Sequence, residues 1–134
     1  MRQILIVCLC LCCLGEVTQG QSNSLGNRKK DTTRTLAYTA LAERLTQAAS
    51  QQDSFVLLMD LGKMSLESGH NSSCLIHYQQ AYNLSKSIGR PEALATSTLA
   101  VAKILRITDQ YDSLYQYCLR AIEIGEKYAH INQT

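Results

Sequence analysis

The side chains of this 134-residue sequence that could do chemistry are its cysteines, histidines, hydroxyls and carboxylates, and their spacing decides which chemistry is open to them. Four of the six cysteines lie in the first 13 residues, and only Cys74 and Cys118 lie beyond them. Beyond residue 13 no Cys-x-x-Cys pair occurs, and the three histidines complete no set of metal ligands. Glycine-rich phosphate loops and hydrolase or metalloprotease motifs are also absent from the sequence. We therefore predict a protein that is not an enzyme and needs no metal or other cofactor.

Three asparagines lie in the Asn-x-Ser/Thr motif that accepts N-linked glycans in the secretory pathway. They are Asn71, Asn83 and Asn132, out of five asparagines in the chain. Asn71 lies in a predicted turn and is the best placed acceptor, whereas Asn132 lies close to the end of the sequence. Because the motif is short, glycosylation at these positions is a hypothesis that requires the chain to enter the secretory pathway.

Residues 1–20 have the features of a cleaved secretory signal peptide. Arg2 provides the positive start, residues 4–14 form an uninterrupted apolar run, and small residues allow cleavage before Gln21 or after Gly15. The run has 11 residues, fewer than the roughly 20 that span a bilayer. An uncleaved anchor with palmitoylated cysteines is one alternative. A buried first helix is another, although the run has no polar face.

Residues 21–31 are polar and are predicted to form a flexible linker. Their basic triplet, Arg28-Lys29-Lys30, is either solvated or a processing site. The signal predicts a protein that is secreted or resides in the secretory lumen. A membrane is involved only if the N-terminal segment is not cleaved, and a cytoplasmic location is the alternative.

From residue 32 onward, apolar residues recur at helical spacing, and no segment alternates as a strand would. A single proline in the chain also suits helices, because proline breaks helix interiors. We predict an all-α domain over 32–130, followed by a short tail over 131–134. The predicted helices cover residues 32–50, 54–68, 72–88, 91–107 and 111–130. Asp53 or Ser54 is expected to cap the second helix, and short turns predict antiparallel neighbours.

Two stretches of the helical region repeat each other at a spacing of 40 residues. Small residues align with small ones and apolar residues with apolar ones, which is typical of stacked repeat units. A glycine inside a helix costs about 1 kcal/mol relative to alanine, so Gly62 indicates that a neighbouring helix crosses there. The aligned pairs are Gly62 with Ala102, Gly69 with Asp109, Cys74 with Leu114, Tyr78 with Cys118, and Ala81 with Ala121.

This unit resembles the tetratricopeptide repeat (TPR), a helix–turn–helix unit with a Leu-Gly pair, a turn glycine and an Ala–aromatic–Ala pattern. A period near 40, longer than the usual 34, is similar to that of G-protein-regulator and rapsyn-type TPR proteins. The resemblance implies a solenoid of about two and a half stacked antiparallel helix pairs. The packing residues it implies are Leu61, Gly62, Gly69, Cys74, Tyr78 and Ala81, and, as a weaker match, Ala102, Leu114, Cys118 and Ala121.

The resemblance also implies a concave groove, lined by the first helix of each unit, that receives a protein or peptide. Lys63 and Lys103 are equivalent in the two units, and basic side chains with apolar flanks suit an acidic or carboxylate-bearing peptide. The asparagines of the carboxylate-clamp pattern are absent, and the alternative is that these charges are simply solvated. The implied groove residues are Val56, Met59, Lys63, Leu66, Thr96, Leu99, Lys103 and Arg106.

The last predicted helix, 111–130, is apolar or aromatic on nearly every side. Such a surface is typical of an interaction site or a homodimer interface, and the alternative is that the chain is a truncated or spliced product of a longer array. Cys74 and Cys118 are expected to be two buried free thiols, because a helix of the next unit would separate them.

Three functions fit this sequence. The first is a non-enzymatic TPR-type interaction module or scaffold that enters the secretory pathway. The second is a small secreted helical-bundle ligand of cytokine type, which would have no reason to repeat small residues every 40 positions. The third is a truncated cytosolic TPR isoform. The net charge of +2 is too small to predict nucleic-acid binding.

Overall fold

The computed structural model describes the backbone of residues 24–131 and the side chains of residues 29–128. The predicted signal segment 1–20 and Asn132 lie outside this range. Within it the chain forms five helices and no strand, which confirms the all-α prediction. The helices are α1 (Ser24–Thr46), α2 (Gln51–Glu67), α3 (Asn71–Ile88), α4 (Pro91–Ile107) and α5 (Tyr111–Ile131).

The chain divides into two units, Met1–Thr33 and Arg34–Thr134. The described part of the first unit is the first part of α1, in which the Thr33 hydroxyl donates to the carbonyl of Lys29. This helix begins eight residues before the predicted start, and so includes residues 24–31 of the segment predicted to be a linker. The second unit contains the rest of α1 and the four following helices.

Helix α2 begins after Ser50 and not at Asp53 or Ser54, so the predicted N-cap is wrong. The Ser50 hydroxyl oxygen accepts a hydrogen bond from the backbone N–H of Asp53 at 3.0 Å. The same hydroxyl donates to the Asp53 carboxylate at 2.7 Å. This reciprocal arrangement satisfies an N–H that the helix leaves unpaired. The two glutamines after Ser50 are good helix formers, and they extend the helix back to it.

The turns after α2 and α4 have the same backbone geometry, 40 residues apart. Gly69 and Asp109 both adopt the left-handed conformation, with φ of 75° and 56°. In the first turn the N–H of His70 donates to the carbonyl of Ser65, and in the second the N–H of Gln110 donates to that of Leu105, each at 2.9 Å. This six-residue closure is the Schellman arrangement, which ends a helix with a left-handed residue.

Consecutive helices pack on one another in an antiparallel manner, α2 on α3, α3 on α4, and α4 on α5. At the middle of α2, a Cβ on Gly62 would overlap the aromatic ring of Tyr78 on α3. Nearer the start of α2, Phe55 clusters with Ala81, which lies further along α3. The glycine therefore lets the ring of Tyr78 lie directly on the backbone of α2.

The core lies between α2, α3 and α4 in two clusters of buried side chains. One cluster joins α3 to α4 and contains Cys74, Tyr78, Tyr82, Val101, Ile104 and Leu105. The other joins α2, α3 and α4 and contains Phe55, Leu58, Ala81 and Ala93. Helix α3 therefore carries apolar residues toward both of its neighbours, which explains why its sequence lacks a single narrow apolar stripe.

Burial of the predicted packing residues differs between the two units. Leu61, Gly62, Cys74, Tyr78 and Ala81 are all buried, and Gly69 lies in an exposed turn. In the second unit Ala102 is buried, Leu114 and Ala121 are half-buried, and Cys118 is exposed. The expectation of two buried thiols is therefore wrong for Cys118. The physical reason is that no described helix covers the outer side of α5, whereas α4 covers the equivalent side of α3.

Candidate interaction surface

The eight residues predicted to line a groove lie on α2 and α4, the two helices that pack on α3. Met59 and Leu66 are half-buried and pack against the core clusters, so they contribute little free surface. The other six are exposed: Val56, Lys63, Thr96, Leu99, Lys103 and Arg106. Leu99 is 60% exposed although its equivalent, Met59, is partly covered. The free surface of this set is therefore larger on α4 than on α2.

Charge is also unevenly shared between the two helices. Lys63 has Asp60 and Glu67 three and four positions away on its own helix, so its surroundings are mixed in sign. Lys103 has no acidic residue at these spacings and lies one turn before Arg106. Among the described residues, the ion pair within 4.0 Å joins Arg90 to Glu92, so neither lysine is engaged with a carboxylate. The α4 side is thus the more strongly basic part.

Two surface cavities lie beside these residues. One, of about 390 Å³, lies between the end of α1 and the start of α2, and Val56, Asp53 and Asp60 are among its lining residues. The other, of about 410 Å³, lies between α4 and α5 and has Thr96 and Leu99 in its wall. Most of its other lining side chains are apolar, so this second cavity suits an apolar occupant.

Cations and aromatic rings form a cluster between α3 and α5 that the sequence analysis did not predict. The rings of Tyr82 and Tyr117 meet edge to face, with 5.3 Å between their centroids. The ammonium of Lys86 lies 4.7 Å from the centre of the Tyr82 ring, and Arg120 donates to the Tyr82 hydroxyl at 3.3 Å. Such cation–π contacts are each worth about 0.5–1 kcal/mol at exposed sites. The cluster fastens α5 to α3, and only the four-residue spacing of Tyr82 and Lys86 hinted at it.

On α3, burial shifts the pKa values of Cys74, Tyr78 and the half-buried His77 in the direction that favours the neutral form. Burial raises the pKa of the Cys74 thiol, an effect that Lys103 and the Tyr78 hydroxyl partly oppose. Burial, together with the nearby Cys74 and Glu67, raises the pKa of Tyr78 to about 12. Burial lowers the pKa of His77, whose Nε2 lies 2.6 Å from the Tyr38 hydroxyl on α1. At pH 7 these groups pack and hydrogen-bond as neutral side chains.

Two of the three glycosylation motifs fall within the described residues. Asn71 is the first residue of α3 and is half-buried, so it lies at a helix start and not within the turn. Asn83 is exposed on the same helix. The hydroxyl of its motif partner, Ser85, is fully buried and lies 3.0 Å from that of Ser97. Glycan transfer at Asn83 would therefore have to precede folding of α3 onto α4.

Over the described residues, no three or more His, Cys, Asp and Glu side chains are grouped so as to hold a metal ion. No helix in that range is both long enough and apolar enough to cross a membrane. The candidate interaction surface therefore consists of the exposed basic and apolar residues of α2, α4 and α5.

Comparison with known proteins gives no relative for this chain. No protein-family model matches it, and neither the curated proteins nor the solved structures contain a match. Its function is therefore inferred from the chemistry of its own residues.

Proposed function

We propose that this chain is a non-enzymatic protein-interaction module, a TPR-like array of about two and a half helical repeats. Its ligand is an acidic or carboxylate-bearing peptide that binds along α2 and α4. The observation that carries this proposal is the pair of equivalent, exposed lysines, Lys63 and Lys103, neither of which forms an ion pair within 4.0 Å.

The repeated turn geometry supports an array over a bundle ligand of cytokine type. The left-handed residues Gly69 and Asp109 and their hydrogen bonds recur at the same 40-residue spacing as the packing residues. A bundle ligand needs helices of suitable length and polarity, but it has no need for identical turns at a fixed period. Stacked repeats require them, because each unit must present the same face to the next.

The chemistry of the surface favours a ligand with carboxylates among apolar residues. Lys103 and Arg106 supply cations, and their side chains lie on the same helix as the exposed Leu99. The Thr96 hydroxyl donates to the carbonyl of Glu92 at 2.7 Å, so it offers a ligand only an acceptor. Charge-assisted bonds to carboxylates and contact with Leu99 would together hold such a peptide.

Reversing the charge at the two equivalent lysine positions should weaken the binding of acidic peptides. A labelled peptide pool in which Asp and Glu alternate with Leu and Ile is the probe, and fluorescence anisotropy is the measurement. We expect the Lys63→Glu/Lys103→Glu variant to bind the pool at least about tenfold more weakly than the parent. Binding by the parent should also weaken as salt is raised, because screening acts on exposed charges.

The matched control is Lys29→Glu/Lys30→Glu, which changes net charge by the same amount at two exposed positions on α1. This control should bind the pool within about twofold of the parent, since long-range attraction alone is largely screened at physiological salt. Equal losses in both variants would mean that net charge and not this surface attracts the peptides. A parent that prefers a Lys-containing pool would contradict the proposal outright.

We further propose that the chain enters the secretory pathway, with cleavage near Gln21. Expression in cultured eukaryotic cells should place a glycosylated product in the medium, and intact mass before and after glycosidase treatment is the measurement. Asn71→Gln and Asn83→Gln should each remove one glycan if both sites are used. An unglycosylated product that stays in the lysate and retains Met1–Gly20 would instead favour the truncated cytosolic isoform.

A further inference from the structure

Helix α5 carries a stripe of large apolar side chains on its outer side. Tyr111, Tyr115 and Ile122 are 61%, 62% and 58% exposed. Cys118 and Leu119, both exposed, lie between them at helical spacing. We call these five residues the α5 stripe. Side chains of this size are rarely left in water as a contiguous group unless another surface covers them.

The preceding repeat shows what kind of structure covers such a stripe. Shifted back by 40 positions, Tyr115, Cys118 and Ile122 correspond to Leu75, Tyr78 and Tyr82 of α3. Tyr78 and Tyr82 belong to the buried cluster that contains Val101, Ile104 and Leu105 of the antiparallel helix α4, and Leu75 packs against that cluster. One antiparallel amphipathic helix is therefore the structure that fits the equivalent face of α5.

The cavity between α4 and α5 adjoins the stripe, because its wall includes Gly125, which lies one helical turn from Ile122. Ala95 and Ala121 lie in its wall, and they correspond to Phe55 and Ala81. In the preceding repeat the latter pair packs with Ala93, a residue near the start of α4. The stripe and the cavity together thus form one site, in which the first part of a helix would fill the cavity and its remainder would cover the stripe.

We propose that this site is filled by α5 of a second copy of the chain, in an antiparallel arrangement about a two-fold axis. Asp112 and Lys127 are exposed near opposite ends of α5, about 22 Å apart along its axis and on the same side. Antiparallel pairing places Asp112 beside the partner subunit's Lys127, and the symmetry repeats that contact. Gln116 likewise lies near the partner subunit's Glu123, so that carboxylate faces an uncharged side chain.

The same symmetry pairs the apolar residues. With the axis near the middle of α5, Tyr115 lies opposite the partner subunit's Ile122, and Cys118 lies opposite the partner subunit's Leu119. A two-fold interface needs a surface that is complementary to itself, and the α5 stripe with its opposite terminal charges meets that requirement. A parallel arrangement would place Asp112 beside the partner subunit's Asp112. This association does not involve Lys63 or Lys103, although it shares Thr96 and Leu99 with the proposed peptide surface, because both line the cavity.

The oligomeric state of the full chain, measured by sedimentation over a range of concentrations, tests the proposal. We expect a dimer that dissociates on dilution. Tyr115→Glu/Ile122→Glu should raise the dimer dissociation constant at least about tenfold while circular dichroism shows unchanged helix content. The control Leu36→Glu/Ile76→Glu places the same charges on exposed apolar residues of α1 and α3, and it should leave the dimer intact.

A charge exchange separates this arrangement from any other self-association. Asp112→Lys should weaken the dimer, and adding Lys127→Asp to the same chain should restore it, since each new pair again has opposite signs. A parent chain that is monomeric at all concentrations would overturn the proposal and leave the site to a different protein. The proposal would also be overturned if Tyr115→Glu/Ile122→Glu left the dimer dissociation constant unchanged. The same holds if adding Lys127→Asp to Asp112→Lys did not restore the dimer.

Discussion

Replacing Ile104 by alanine should lower the free energy of unfolding by about 2–5 kcal/mol, the largest effect we expect from a single substitution. The Ile104 side chain is 0% exposed and lies in the cluster that joins α3 to α4. Removing it takes away buried apolar surface and leaves a cavity that Tyr78 and Tyr82 cannot fill, because aromatic rings are stiff. Since domains of this size are stable by about 5–15 kcal/mol, a substantial fraction of the stability would be lost.

The same helix offers a matched control. Ile107 is the last residue of α4 and is 40% exposed, so Ile107→Ala removes the same atoms from a site that is partly in water. We expect this change to cost less than about 1 kcal/mol. Urea unfolding followed by circular dichroism, at one fixed protein concentration, measures both variants. Similar losses for the two positions would mean that α4 is not packed on α3 as described.

Helix positions could be predicted from the sequence because local signals mark them. Helices α2 to α5 begin and end within three residues of the predicted bounds. Their ends are set by Gly69, Gly89 and Pro91, whose backbone preferences act without help from distant residues. The start of α1 could not be predicted in this way, because polar residues such as those of 24–31 are compatible with either a helix or a linker.

Burial was less predictable, because it depends on which helix lies next to which. Gly62 indicated a close helix crossing, and in the structure Tyr78 lies against it. Cys118, at the equivalent position to Tyr78, is exposed, since covering it requires a neighbour that the described chain does not supply. The contacts of Tyr82 with Lys86, Tyr117 and Arg120 join two helices through side-chain orientation, which no sequence pattern fixes.

Replacing Gly62 by alanine should destabilise the protein although alanine is the better helix former. Helix propensity alone would favour the change by about 1 kcal/mol. The added Cβ would however overlap the ring of Tyr78, a residue that is buried in the core and cannot swing away into solvent. Overpacking of this kind costs about 1–3 kcal/mol, so we expect a net loss. Gly125→Ala is the control, because a Cβ there meets no atom within 4 Å, and it should stabilise by up to about 1 kcal/mol.

The cause of this loss can be isolated with Tyr78→Leu, which removes the ring and is destabilising in itself because it empties core volume. In that background the methyl group of Gly62→Ala enters space that the ring has left, so the second change should be neutral or stabilising. The equivalent residues of the second repeat agree with this expectation. There Ala102 replaces Gly62, and Cys118, whose side chain is smaller, replaces Tyr78. The free energies of unfolding of the parent, the two single variants and the double variant give the coupling between the two positions. Additive effects would show that the crossing of α2 and α3 does not depend on Gly62, and that its repeat partner is alanine for some other reason.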